Sequence, residues 1–356
     1  MPAAFLALSA WLRGRNLGVW ESFFNFAAQS RVMNNLEFLT ESHREDMARL
    51  NGRIAQRLQC ANPMMTNIIM SLLRTKGKQL RPLLLIMCAK LFGSVDDNVI
   101  AAAAAVELIH NASLIHDDVV DNSMTRRGVP TVNAVWDNHI AVLVGDFFTS
   151  SSMQEAIATG DIRIIDALCE LGRMLSLGEI DQIYNARQHT LDEENYYRII
   201  DYKTSSLFVA SARMGCIAAG ATPEQTEALA HFALLFGRCF QLRDDVFDYY
   251  SSDLVGKPTG NDLREGKVTL PLLKALDTDS AESAALRGLL EKDSLDDAEI
   301  CRLCAFAREN GGIEKTYATM EQLRREACAS LDALGIDSPV IEQLRSLFSF
   351  IIERKF

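Results

Sequence analysis

Two short acidic runs constrain this chain more than anything else in it. Leu114-Ile-His-Asp-Asp-Val-Val-Asp carries Asp117, Asp118 and Asp121, and Gln241-Leu-Arg-Asp-Asp-Val-Phe-Asp repeats the spacing at Asp244, Asp245 and Asp248. At about 100° per residue, the first and last aspartates of each run share one helix face and the middle one flanks it. Like charges within one turn repel and raise each other's pKa. A single run of this kind reads as a solvated helix face. Two copies, each embedded in apolar helical sequence, do not. They make sense together if hard cations sit between the carboxylates, because Mg²⁺ takes a few carboxylates, several waters and substrate phosphates. Arg126 and Arg127 follow the first run, and guanidinium forks suit phosphate oxygens. Both runs must then converge on one metal–phosphate assembly. That argues for one catalytic domain, although 356 residues would allow two.

From Asn34 onward, apolar residues recur at three- and four-residue spacing and strand signals are nearly absent. Breaks are expected at Asn62-Pro63, Gly93-Ser94, Arg127-Gly128-Val-Pro130, Thr159-Gly160, Gly220-Ala-Thr-Pro223, Gly256-Lys-Pro258 and Asn310-Gly-Gly312. Thr222-Pro223-Glu224-Gln225 reads as a helix start. With 48% hydrophobic residues and 8 prolines, the chain can bury a large core. Its net charge of −11 argues against nucleic acid. Most of the 8 cysteines lie in apolar helical sequence and read as buried thiols of a reducing compartment. Cys301-x-x-Cys304 has no second pair and does not read as a zinc site. Residues 1–32 read as an extension upstream of a domain spanning 33–356. Met1–Leu12 is apolar but lacks a basic flank before it and is too short to span a bilayer. Trp11, Trp20, Phe23, Phe24 and Phe26 would suit an interfacial helix.

Further basic and polar residues join the pattern. In Thr75-Lys-Gly-Lys-Gln-Leu-Arg-Pro82, Lys78 and Arg81 stand at the start of an apolar helix, a natural diphosphate site. His110 lies two turns before Asp117 on nearly the same stripe, while His116 should point away from Asp117 and reads as structural. Lys203-Thr204 follows a polar stretch, and Gly256-Lys-Pro-Thr-Gly-Asn-Asp-Leu-Arg-Glu-Gly-Lys267 is a glycine-rich basic loop directly after the second aspartate run. Ser113 lies four residues before Asp117 and so directly beneath it, with Ala112 on the flank.

Together these motifs resemble the trans-polyprenyl diphosphate synthases, most closely the long-chain, octaprenyl/solanesyl type, from about Lys76 to Pro271. The resemblance implies an all-α fold: a single large helical bundle of isoprenoid synthase type around a central cavity. It implies Mg²⁺, two or three ions held by Asp117, Asp118, Asp121, Asp244, Asp245 and Asp248. The substrates would be isopentenyl diphosphate and an allylic diphosphate such as farnesyl diphosphate. Lys78, Arg81, His110 and Arg127 would hold the former, although Gln79 stands where the family often has arginine. Lys203, Thr204 and Gln241 would meet the allylic substrate, and Arg126, Lys203, Lys257 and Lys267 the leaving pyrophosphate. Small residues at Ala112 and Ser113 leave the pocket open in this family. The floor would lie deeper, around Leu168–Leu177, and the product would be an all-trans chain of octaprenyl to decaprenyl length for quinone side chains. The alternative is a shorter-chain synthase. A terpene cyclase is disfavoured by the second aspartate triplet, and a non-catalytic subunit by the intact motifs. A homodimer is implied, cytoplasmic, whose product partitions into membrane; residues 1–32 leave membrane association open. The basic end, Glu353-Arg-Lys-Phe356, would either cover the site or hang free.

Overall fold

The structure, a computed structural model, describes residues 39–75, 77–250, 259–292 and 294–354. The proposed extension 1–32 and Lys257 lie outside the described residues. Helices follow one another with short links: α1 (Arg44–Arg57), α2 (Pro63–Arg74), α3 (Leu80–Lys90), α4 (Asp97–Val120), α5 (Val132–Val135), α6 (Asn138–Ala158), α7 (Ile162–Gln188), α8 (Glu193–Ile200), α9 (Ser206–Ala218), α10 (Pro223–Asp248), α11 (Asn261–Arg264), α12 (Leu270–Leu276), α13 (Ala281–Leu289), α14 (Asp297–Glu309), α15 (Gly312–Ala333) and α16 (Pro339–Glu353). Side-chain oxygens at the N-caps explain many of the starts. Asp96, Asp137, Asp161 and Asp192 each accept from backbone N–H groups of the first turn. Thr222 and Gln225 close the reciprocal box expected from the sequence.

The chain is wrapped around α4, which is buried almost without interruption from Val99 to His110. Ala102 to Ala105 are 0% exposed. Such small side chains let α6 approach closely along the length of α4. Ser152 of α6 donates to the Ala105 carbonyl at 2.7 Å, and a Cβ on Gly145 would collide with the His116 ring. By length and composition α4 is apolar enough to cross a membrane, but 78% of the relevant window is buried by the other helices. It is the core helix of the bundle. α1 docks through charge: buried Glu155 of α6 accepts from both Arg53 and Arg57. Phe208, Phe232, Phe236 and Phe348 meet with centroids 5.0–6.3 Å apart and tie α9, α10 and α16 together.

Two expectations change. Residues 125–130, read from sequence only as a break, form a small antiparallel hairpin pairing Thr125 with Pro130 and Arg126 with Val129. Its turn needs positive φ at both central residues, and Arg127 (φ 53) and Gly128 (φ 76) supply them. The cysteines are free, but they are not mostly buried. Cys88, Cys216, Cys239 and Cys304 are buried; Cys60 and Cys328 are half-buried; Cys169 and Cys301 are exposed. The exposed pair falls on the outer faces of α7 and α14, where periodicity permits any small residue.

Candidate active site

Both aspartate runs lie at helix C-termini. Asp117 and Asp118 end α4, Asp121 is its C-cap, and α10 closes on Asp244, Asp245 and Asp248; neither helix has a basic residue in its last turn. A helix C-terminus already carries about half a negative charge, so carboxylates there are badly placed for stability alone. Burial worsens their position. It pushes the Asp117 carboxyl up to about 6, with Glu179 and Asp121 adding to the rise and Lys203 opposing it. Burial also raises Asp118, Asp244 and Asp245.

The surrounding groups divide the aspartates by role. Arg126 donates to Asp118 at 2.8 Å from the hairpin. Gln241 and Tyr196 both donate to Asp245, Gln241 at 2.8 Å. Asp248 accepts the backbone N–H groups of Asn261 and Asp262, each at 3.0 Å, and so caps α11. Asp244 receives Arg354 at 2.5 Å. Arg354 is buried, stacks 4.3 Å from the Phe240 centroid, and its carbonyl accepts from Arg243. Of the two options open for the basic end of the chain, Arg354 takes the first and stands against the site.

A second group gathers where the basic turn before α3 meets the hairpin. Arg127 donates to the Thr75 carbonyl at 3.1 Å, and a Cβ on Gly77 would lie 2.5 Å from its guanidinium. A side chain there would have to push the guanidinium aside, and in this position Arg127 acts electrostatically on Arg81. Gln79, at φ 48, exchanges amide hydrogen bonds with Asn51 of α1. It braces the turn where the family often has arginine. Lys78 lies over the Phe350 ring at 5.5 Å, and Arg81 over Phe208 at 4.7 Å. Burial lowers Lys78, and it brings Arg81 down to about 10. His110 is held well below its usual value by burial and by Arg81, Arg127 and Arg126, so it is a neutral imidazole. Arg81 Nε, His110 Nδ1 and Glu107 Oε2 are buried without a hydrogen-bond partner among the described residues.

A third group surrounds a cavity of about 550 Å³ lined by Gln182, Lys203, Thr204, Gln241, Asp245 and Lys267 among others. Lys203 pairs with Glu179 at 2.5 Å and lies 3.4 Å from the Gln182 oxygen. Thr204 donates to Gln241 at 2.7 Å, which continues to Asp245. Burial works against the Lys267 charge, but Glu265, Asp121 and Asp262 outweigh it and raise its pKa. Lys267 thus feels both ends of the site, since Asp121 belongs to the first run and Asp262 lies beside the second. Beneath Asp117, Ala112 is buried, and half-buried Ser113 donates to the His110 carbonyl at 2.9 Å. His116 turns to α6, as expected.

Sequence reasoning did not find Glu107, Glu179, Gln182 or Asp262 as site residues. Glu107 carried a signal, a lone acid three residues before His110 in an otherwise apolar stretch. Asp262, which burial and Asp248 push up to about 7, is visible only once Asp248 caps its helix. The donors are carboxylate oxygens, the set a hard divalent ion prefers. Among the described residues no three or more acids, histidines or cysteines are close enough to hold an ion unaided.

A helical bundle with two aspartate runs at helix ends and cationic side chains beside them is the architecture expected of enzymes that ionise diphosphates. The chain belongs to the polyprenyl synthetase family, whose description matches residues 62–306. It is 34% identical over 331 residues to an octaprenyl diphosphate synthase of Escherichia coli, covering 90% of this chain and 99% of that one. A decaprenyl diphosphate synthase structure from Rhodobacter capsulatus superposes with a TM-score of 0.83 at 34% identity, covering 90% of this chain and 99% of that one. A Caulobacter crescentus polyprenyl synthase, complexed with calcium and isoprenyl diphosphate, superposes at 0.83 with 31% identity over 90% of this chain and 98% of that one. The chain is therefore a prenyltransferase of the long-chain trans-polyprenyl diphosphate synthase type.

Proposed function

We propose that this protein adds isopentenyl diphosphate units to an allylic diphosphate, farnesyl diphosphate as starter, with Mg²⁺, and makes an all-trans product of about C40–C50. The observation that carries the reading is that two aspartate runs end helices around Lys267, whose pKa Asp121 of the first run and Asp262 beside the second both raise. When bound, the divalent ions would neutralise the charge that grows on the leaving pyrophosphate. Asp117 and Asp121 are the first candidates to hold them, since Asp118, Asp244, Asp245 and Asp248 already serve neighbouring groups. Lys203 and Lys267, with Lys257 and Arg126, would bind the leaving oxygens. Thr204 and Gln241, whose oxygens share a hydrogen bond beside the cavity, would turn oxygens toward the allylic cation. Lys78, Arg81 and Arg127 would bind the diphosphate of the second substrate, with neutral His110 as a hydrogen-bonding partner. Its double bond attacks the cation, and the proton lost from the adjacent carbon goes to the departing pyrophosphate. The apolar wall below Asp117 keeps water from the cation.

The test incubates the purified chain with labelled isopentenyl diphosphate and farnesyl diphosphate, with Mg²⁺ or with a chelator, and sizes the dephosphorylated products. Long products that require the ion support the reading. No incorporation refutes it, and products stopping at about C20, one unit beyond the starter, favour the shorter-chain alternative.

A further inference from the structure

Asp201–Ser205 forms one turn of π-helix between α8 and α9. A π turn slips an extra residue into a helix and marks functional sites more often than other helical irregularities do. Here the turn contains Lys203 and Thr204, and two helices pinch it. A Cβ on Gly178 of α7 would stand 2.9 Å from the Lys203 amide nitrogen and 2.9 Å from Tyr202 Cβ; one on Gly237 of α10 would stand 2.6 Å from Ser205 Cα. These neighbours are backbone or the root of a side chain, so they cannot swing aside. Ser205 is fully buried, and its Oγ has no partner among the described residues. Packing rather than that hydroxyl holds the turn. Arg238, next to Gly237, fastens its outer side with a fork onto Asp201 at 2.8 and 2.6 Å. The inner side delivers Lys203 to Glu179 and Thr204 to Gln241.

We infer that Gly178 and Gly237 are positioning residues for the allylic diphosphate, setting the depth at which Lys203 and Thr204 enter the cavity. The inference rests on the proposed function for that site. An added methyl on either side must displace the turn, and a displacement of about 1 Å can cost roughly 10²-fold in rate. Isopentenyl diphosphate would be bound by α3, α4 and the hairpin, which neither glycine touches.

The experiment compares Gly178→Ala and Gly237→Ala with two controls. Gly172→Ala places its methyl in open space on α7, and Gly215→Ala drives one against the Leu85 carbonyl at 2.3 Å, away from the turn. Steady-state kinetics and amide exchange at residues 202–206 are read on the full chain. The two test variants should raise the allylic KM roughly 10- to 100-fold, leave that for isopentenyl diphosphate within about twofold, and speed exchange in the turn. Gly215→Ala should lower Tm without that bias. Equal effects on both substrates, or the same bias from Gly215→Ala, would overturn the inference. Should the test variants fail to fold, Arg238→Gln loosens the turn without adding volume and should give the same bias at smaller amplitude; no bias overturns it. If the parent chain incorporates nothing, the functional reading fails instead. The exchange data then decide alone, and unchanged protection in both glycine variants rejects the clamp.

Discussion

Asp117 has a raised pKa because burial disfavours its charge, with Glu179 and Asp121 adding to the rise. Its folded value of about 6 lies above the ordinary 3.8, so the folded state holds this proton more tightly than the unfolded chain. The sign follows: this group's stabilising contribution is full below about pH 4 and is lost as pH rises to about 6. Asp117→Asn should therefore gain on the parent across that window and keep the gain above it, by roughly 1–3 °C in Tm without divalent ion. A Tm gap independent of pH would show that the carboxyl is not strained by its charge. Activity should move the other way, with kcat of Asp117→Asn falling by about 10²–10³-fold; near-parental turnover would remove Asp117 from the metal site. The cationic residues should separate by substrate. Lys78→Ala and Arg81→Ala should raise the KM for isopentenyl diphosphate about tenfold or more, and Lys203→Ala that for the allylic partner, since a hydrogen bond to a charged group is worth roughly 1.5–3 kcal/mol. Equal effects on both KM values would dissolve the division.

At the scale of elements, α4 is the axis of the bundle, and in the proposed reading its face below Asp117 would form one wall of the product channel, outside the cavity that Lys203, Gln241 and Lys267 line. Each helix turn is about 5.4 Å, close to one extended isoprene unit, so side chains below Asp117 should gauge the product. Ala112→Phe or Ser113→Phe should shorten it to about C15–C25 while incorporation continues; unchanged chromatograms from both would place the channel elsewhere. How far elements were legible depended on how local their causes are. Helix starts at Asp96, Asp161 and Thr222 follow from residues within one turn. The aspartate runs were legible because their spacing matches a helix and their surroundings are apolar. The hairpin was not. A two-residue ladder has no periodicity to read, and the hydrogen bond from Arg127 to the Thr75 carbonyl ties it to a turn distant in sequence. For the basic end the sequence left two options open, because the partners that decide between them, Phe240 and Asp244, lie on another helix. The π turn has no recognised sequence signal; it is defined by glycines on two other helices.

At the scale of the molecule, exposed apolar side chains concentrate on two helices. Val142, Leu143, Met153 and Ile157 project from α6, and Ile162, Leu177, Ile180, Ile183 and Tyr184 from α7. A patch of this kind marks an association surface, and a second copy of the chain is the expected occupant. Light scattering at micromolar concentration should give twice the chain mass, and Leu143→Glu with Ile180→Glu should halve it; a monomeric parent would count against the dimer. The alanine run of α4 has a separate consequence for anyone mapping this protein by saturation mutagenesis. Ala102–Ala105 leave no room for a larger group, because α6 lies directly against them. Their substitutions will be depleted under selection much as those at Asp117 are. Sensitivity to substitution will therefore not distinguish chemistry from close packing in this chain. Protein abundance will: alanine variants will disappear from the soluble pool, while aspartate variants accumulate there inactive.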